Sequence, residues 1–219
     1  MNPAVLFFDN HLFVAFKPAG LATQPASGDG GRNLEEWAKM WLKAEMKKEG
    51  NVFLAAIHRL DKPVSGLVLF ARSSKALSRL NEMMRERTIQ KRYLAHVEGR
   101  VPAQEGRLEH YLIHDDFRAR VASKENAEAK KAILTYKQVA PQIVEIDLET
   151  GRYHQIRAQF AAIGCPIIGD RKYGSQKPFG PPNTQAIALQ HILLELTHPV
   201  TKAPLSFSLP PHLALSVFC

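Results

Sequence analysis

Residues 66–72 read GLVLFAR, and from Gly66 to Ala71 no polar side chain interrupts the run. A strand without polar alternation must be covered on both faces, so this segment predicts a buried strand. It is far shorter than the ~18 apolar residues that a membrane span needs, and no other run approaches that length. AVLFFDNHLFVAFKP (4–18) is two apolar runs split by Asp9-Asn10, a turn dipeptide, and predicts a hairpin. KRYLAHVEG (91–99), AILTYKQV (132–139) and QIVEIDLET (142–150) read as further strands. In the last, Val144, Ile146 and Leu148 alternate with Glu145, Asp147 and Glu149, which fits a solvated acidic face better than a metal site.

Helical spacing recurs three times. Leu34, Trp37, Ala38, Trp41 and Leu42 follow an Asn33…Glu36 pair that resembles a capping box, which predicts a helix over 34–48. Both tryptophans fall on that periodic face, so core packing suits them better than base stacking. Ser73 or Ser74 caps a second helix, with Leu77, Leu80 and Met84 inward and Lys75, Arg79, Arg85 and Arg87 outward. HQIRAQFAAIG (154–164) predicts a third, striped by Ile156, Phe160 and Ile163 and ended by Gly164 and Pro166. Residues 18–33 and 174–184 are Pro/Gly-rich loops, 100–131 read as short strands or an inserted hairpin, and 185–196 as strand or mixed structure. TKAPLSFSLPPHL is a closing tail. Strict strand–helix–strand alternation is missing. The fold class is therefore α+β: a mixed, largely antiparallel central sheet flanked by helices and loops, in one domain over 1–219.

Charge narrows the partners. The chain carries 29 Lys+Arg against 21 Asp+Glu, a net charge of +8, with a pI of about 9.6. That sign favours polyanions, above all nucleic acid. Cys165 and Cys219 lack zinc-ligand spacing and allow at most one bridge, so an intracellular, cytoplasmic protein is expected. The N-terminus lacks early basic residues and carries Asp9 before its second apolar run, unlike a signal peptide. There is no G-x-G-x-x-G, P-loop lysine motif or Cys/His cluster, so neither a nucleotide cofactor nor a metal is supported.

Two segments combine charge with tight turns. In HRLDKPVSG (58–66), a single carboxylate, Asp61, follows His58 and Arg59; as a bare residue it also suits a turn before Lys62-Pro63. In LETGRYHQIRAQFAAIGCPIIGDRKYG (148–174), Arg152 lies in a turn and Arg157 near a helix N-terminus, where anions are favoured. For an isolated arginine, an ordinary ion pair is the plain alternative.

These two segments, with KRYLAHVEG and the opening FDNHLFVAFKPAGLATQP, stand in order along nearly the whole chain and resemble the RluA-type pseudouridine synthases. The resemblance implies the pseudouridine synthase fold and an isomerase acting on uridines of RNA (rRNA or tRNA), with no cofactor or metal. It makes Asp61 the catalytic aspartate and Tyr93 the residue that contacts the target base. It makes Arg157 the basic partner of the aspartate, and Arg59 the side chain that fills the space left by a flipped base. Ile156 would pack near the base, and His58, Arg152 and His154 are further candidates for substrate contact. Tyr153 departs from the Thr or Ser often found in the family, with no effect on the chemistry expected. Many relatives carry a small N-terminal RNA-binding domain; this chain starts close to the opening strand, so RNA binding is expected to fall on the catalytic domain, as a monomer. The basic face of residues 74–87 and the segment 118–131 are candidates for holding RNA phosphates. Two other readings stand beside this one: a catalytically inactive RNA-binding protein of the same fold, and a nuclease using His58 and His154 as acid and base.

Overall fold

A computed structural model describes residues 1–25, 32–181 and 184–215. They divide into two compact units, Met1–Ile89 with Leu193–Leu213, and Gln90–Ile192 with the chain end from Ala214. Among the described residues no helix is long and apolar enough to cross a membrane.

The first unit opens with the predicted hairpin. Strands β1 (Ala4–Phe8) and β2 (Leu12–Lys17) pair antiparallel, Ala4 opposite Phe16 and Phe8 opposite Phe13. Asp9 makes the turn: its Oδ1 accepts from the backbone of His11 and Leu12, both at 2.7 Å. Helix α1 runs Leu34–Glu45, with the Asn33 side chain accepting from Glu36 N at 2.9 Å. It stops before the predicted residue 48. Trp41 is half-buried and packs against the rings of Phe8 and Phe13, as its spacing indicates. The short β3 (Ala55–Ala56) and β2 both pair antiparallel with β4 (Ser65–Ala71). Every residue of β2 and β4 is buried, as the unbroken run at 66–71 requires. Helix α2 (Ser74–Glu86) is capped by Ser73 and buries Ala76 and Leu80 against Leu12, Val14, Leu67 and Leu69.

The second unit is an antiparallel run in the order β5 (Gln90–His96), β9 (Ile143–Leu148), β8 (Lys130–Ala140), β6 (Glu105–Asp115), β7 (Arg118–Ala122). Much of the polar segment 100–131 is thus one hairpin, β6 and β7, turning at Asp116-Phe117. Its charges are partly spent within the strands: Arg120 pairs with Asp115, and Lys131 with Glu109. Fewer cations therefore remain for phosphates than the sequence count implies. The acidic face of β9 is likewise paired, Glu145 and Asp147 with Arg92 and Glu149 with Arg107. Gly106 lets β6 pass over Tyr136, since a Cβ there would lie 2.8 Å from the ring. Helix α3 (Gln155–Ala162) is buried over most of its circumference, Gln155, Arg157 and Gln159 included, rather than along one apolar stripe.

Strand β10 (Leu189–Thr197) begins in the second unit and ends in the first, where it pairs antiparallel with β11 (Pro204–Ser208). β11 lies in what the sequence presents as a tail. Its Leu205 and Phe207 pack on the core of the first unit. These antiparallel pairings, a parallel bridge between Ala22 and Asn33, and three α-helices among the described residues make the architecture α+β, mixed and mostly antiparallel, as predicted.

Candidate active site

The candidate residues fall in both units. His58, Arg59 and Asp61 belong to the first; Tyr93, Arg152, His154, Ile156 and Arg157 belong to the second.

Asp61 sits half-buried in the turn between β3 and β4, its carbonyl accepting from Val64 N at 3.0 Å. The turn is tied on both sides. Leu60 exchanges two bonds with Thr23 Oγ1, giving its N–H at 3.1 Å and accepting on its carbonyl at 2.9 Å. The Lys62 carbonyl accepts from Gly20 N at 2.7 Å. Lys17, at the end of β2, completes the clamp: its fully buried Nζ donates to the carbonyls of Leu21, Pro18 and Lys62 at 2.6, 3.1 and 3.3 Å. Sequence reasoning passed over Lys17; the signal was a lysine closing an apolar run. Arg59 is exposed. His58 is used structurally, its Nε2 accepting from Leu69 N at 3.2 Å, so that nitrogen carries no proton.

Burial drives the Lys17 ammonium down to about 7, against the opposing pull of the Asp61 charge. Between pH 7 and the ordinary lysine value the unfolded chain binds a proton that the native state does not. Stability therefore rises with pH across that window, and the cost of burying the charge is fully present below it. In urea titrations at pH 6, 8 and 9.5, the wild-type unfolding free energy minus that of Lys17→Met is expected to increase with pH. Parallel curves would show that Lys17 keeps its proton throughout.

In the second unit, Arg157 projects from the first turn of α3 and is 4% exposed. Its Nε and Nη2 donate to Asp170 at 2.7 and 2.9 Å, a two-pronged pair with a carboxylate only 2% exposed. The Tyr173 ring lies against the guanidinium, 4.9 Å from its carbon to the ring centroid. Gly169 shapes the approach to Asp170. Its φ is +87°, and a Cβ there would lie 2.6 Å from Phe179 Cβ and 2.9 Å from the Ala186 carbonyl. Within this unit the carboxylate that meets Arg157 is thus Asp170, which sequence reading did not single out although it stands in the quoted IIGDRKYG.

Tyr93 lies buried on β5, stacked on His191 at 4.6 Å between centroids. Ile156 is buried beside Arg157 on α3. Arg152 is exposed, with its Nε on the Lys131 carbonyl at 2.9 Å. The turn into α3 has no side-chain cap from His154, which adopts a φ of 50°. Gln155 serves instead: its Oε1 accepts from Thr150 Oγ1 and Arg152 N, and its Nε2 donates to the Ile133 carbonyl.

His154 is buried, with Nδ1 2.8 Å from the Tyr173 hydroxyl and its ring stacked on Tyr153 at 3.9 Å. Burial, with the Arg157 and Lys172 charges, pushes it down to about 3. It is neutral at ordinary pH and poorly suited to donate a proton as a general acid. Tyr153 also has more contacts than its sequence position advertises, giving its hydroxyl to the Phe117 carbonyl at 3.3 Å and meeting His114 edge-on. Among the described residues no group of three or more His, Cys, Asp or Glu could hold a metal ion.

Comparison with known proteins identifies the family. The family described as RNA pseudouridylate synthase matches residues 11–162. The dual-specificity RNA pseudouridine synthase RluA of Pasteurella multocida is 33% identical over 217 residues, covering 94% of this chain and 92% of its own. The ribosomal large subunit pseudouridine synthase D of Zymomonas mobilis is 31% identical over 200 residues, covering 89% of this chain and 63% of its own. The chain thus spans about three fifths of the length of some curated relatives that it matches. The structure of human RNA pseudouridylate synthase domain containing 4 superposes with a TM-score of 0.76 at 21% identity, over 95% of this chain and 89% of that one, a likeness of fold. With the family match running through Asp61, Tyr93 and Arg157, the chain belongs to the RNA pseudouridylate synthase family.

Proposed function

We propose that the chain is an RNA pseudouridine synthase, with residues 1–219 working as one catalytic domain, as a monomer in the cytoplasm. The reaction breaks the N1–C1′ bond of a uridine, turns the base and joins C5 to C1′. C5 loses its proton and N1 ends protonated, so the change is redox-neutral and asks for no cofactor. The sugar passes through an electron-poor, oxocarbenium-like state, which one carboxylate can stabilise or trap. Uracil leaves as a stabilised anion, so no second acid is needed.

The observation that carries this reading is the turn at Asp61. A half-buried carboxylate is presented from a backbone fixed by Thr23, Gly20 and Lys17, as preorganised charge requires. In this reading Arg157, its plane held by Asp170 and Tyr173, is the basic residue that the family resemblance assigns to the catalytic aspartate. Tyr93 contacts the base, with Ile156 packed near it. Exposed Arg59 fills the gap left when the uridine leaves its stack. His58 and Arg152 brace the backbone at Leu69 and Lys131, and with His154 they are the remaining candidates for contact with RNA. The nuclease reading is the weaker one, because His58 Nε2 is engaged as an acceptor and His154 is held neutral. Several relatives are named for the ribosomal large subunit, which supports ribosomal RNA as a target class, and transfer RNA is the other class that the family resemblance implies.

The test uses unmodified tRNA and large-subunit rRNA transcripts labelled with tritium at C5 of uridine. Incubation with the protein is expected to release tritium in step with pseudouridine formed. Binding without release would favour the inactive RNA-binding alternative.

A further inference from the structure

The tip of the β6–β7 hairpin carries Phe117, whose side chain is left outside every core described above. It is 79% exposed, more than any other large hydrophobic among the described residues. A single exposed aromatic is common and needs no explanation. What distinguishes this one is that its backbone is anchored. The Phe117 carbonyl accepts from Lys172 Nζ at 3.0 Å and from the Tyr153 hydroxyl at 3.3 Å. One strand on, Ala119 N donates to the Tyr173 hydroxyl at 2.7 Å. The hairpin tip is therefore fastened to the turn that starts α3 and to the helical turn Arg171–Tyr173, all within the second unit.

The anchor is itself aromatic and partly open. Tyr153 is 40% exposed, with one face stacked on His154 and an edge contact to His114. Arg118 and Arg152 stand next to the two rings along the chain and Arg171 next to Lys172, with the exposed carboxylate of Asp116 beside Phe117. Arg118, Arg152 and Arg171 form no ion pair among the described residues, whereas Asp115 of the tip is engaged by Arg120. Exposed aromatic rings on an anchored backbone, beside guanidinium groups, are what single-stranded nucleic acid recognition uses: bases stack on the rings and phosphates meet the cations. Because the tip is fixed in advance, little ordering remains to oppose binding.

We propose that Phe117 and Tyr153, flanked by Arg118, Arg152 and Arg171, form a stacking platform for unpaired bases of the RNA substrate. The proposal rests on the synthase reading above and adds to it a surface that selects single-stranded RNA. An acidic protein partner could share the charge complementarity, but it would not need exposed aromatic rings.

The experiment measures the affinity of the full chain for a 12-nucleotide oligouridine and for a 12-base-pair RNA duplex. Phe117→Ala is expected to weaken oligouridine binding about 5- to 160-fold, the range of losing one stacked base. Duplex binding should change less than about twofold. Phe117→Trp should restore the affinity, and Phe53→Ala, an exposed aromatic of the first unit, should bind as wild type does. Melting temperatures of all variants should match, since neither ring is in a core. Equal affinity of Phe117→Ala and wild type, equal losses on both RNAs, or no oligouridine binding by wild type would each overturn the platform. The tritium-release assay on wild type keeps the two readings apart. Release with a Phe117-independent affinity sinks only the platform, and no release sinks the synthase reading whatever Phe117 does.

Discussion

Asp61→Asn is expected to abolish pseudouridine formation, by at least about 10³-fold in kcat, while leaving RNA affinity within about threefold of wild type. The substitution keeps the size and shape of the side chain, turns one acceptor oxygen into an NH2 donor and removes its negative charge. An amide can neither trap nor balance a sugar cation. The turn should persist, although the attraction between the Asp61 charge and the buried Lys17 ammonium is lost. The turn is held through the backbone of Leu60 and Lys62 and through Thr23, none of which needs the carboxylate. Single-turnover conversion together with equilibrium RNA binding checks both halves. A variant that retains a tenth of the rate would remove Asp61 from the chemistry, and one that loses binding and turnover together would recast it as an RNA contact.

Asp170→Ala should be the most damaging substitution for stability, costing about 3–5 kcal/mol. The reason is the state it leaves behind. Arg157 cannot shed its proton, and at 4% exposure it has little water to turn to once its two-pronged partner is gone. Asp147→Ala provides the contrast. That carboxylate also faces an arginine at 2.8 Å, but on an exposed strand face, where a pair contributes about 0–1 kcal/mol. Urea unfolding of the two variants should therefore differ severalfold in the free energy lost. If Asp170→Ala loses no more than Asp147→Ala, Arg157 is being stabilised by something other than Asp170.

The two results bear on what a sequence can disclose. β4 was legible because burial on both faces leaves a one-dimensional trace, an apolar run bounded by turn residues. The hairpin at Asp9 was legible for a similar reason, since its turn is made by a side chain bonding to backbone two and three residues on. Asp61, Tyr93 and Arg157 stood out by family resemblance, which carries positions and roles but not surroundings. Asp170 was missed because its meaning depends on a partner 13 residues away, across a helix and a Gly-enforced turn. Lys17 was missed because three carbonyls from two separated segments have no signature in composition. α3 was found for an incomplete reason. Its apolar spacing exists, but Gln155, Arg157 and Gln159 are buried by polar contacts that only the fold supplies. β11 escaped notice because a five-residue alternation bounded by prolines looks like any polar tail.

The order in which the core of the first unit is assembled along the chain has a consequence for synthesis. That core joins Leu12, Val14, Leu67 and Leu69 to Leu194 and Leu196, with Leu205 and Phe207 packed against it. The strands of the second unit from β5 to β9 and helix α3 all lie between those two sets. As the chain leaves the ribosome, the amino-terminal segment must wait with an unclosed apolar face while the later-made unit acquires its strands. The first segment to be translated is the last to finish folding, so the exposed faces of β2, β4 and α2 are where a nascent chain of this protein would need a chaperone.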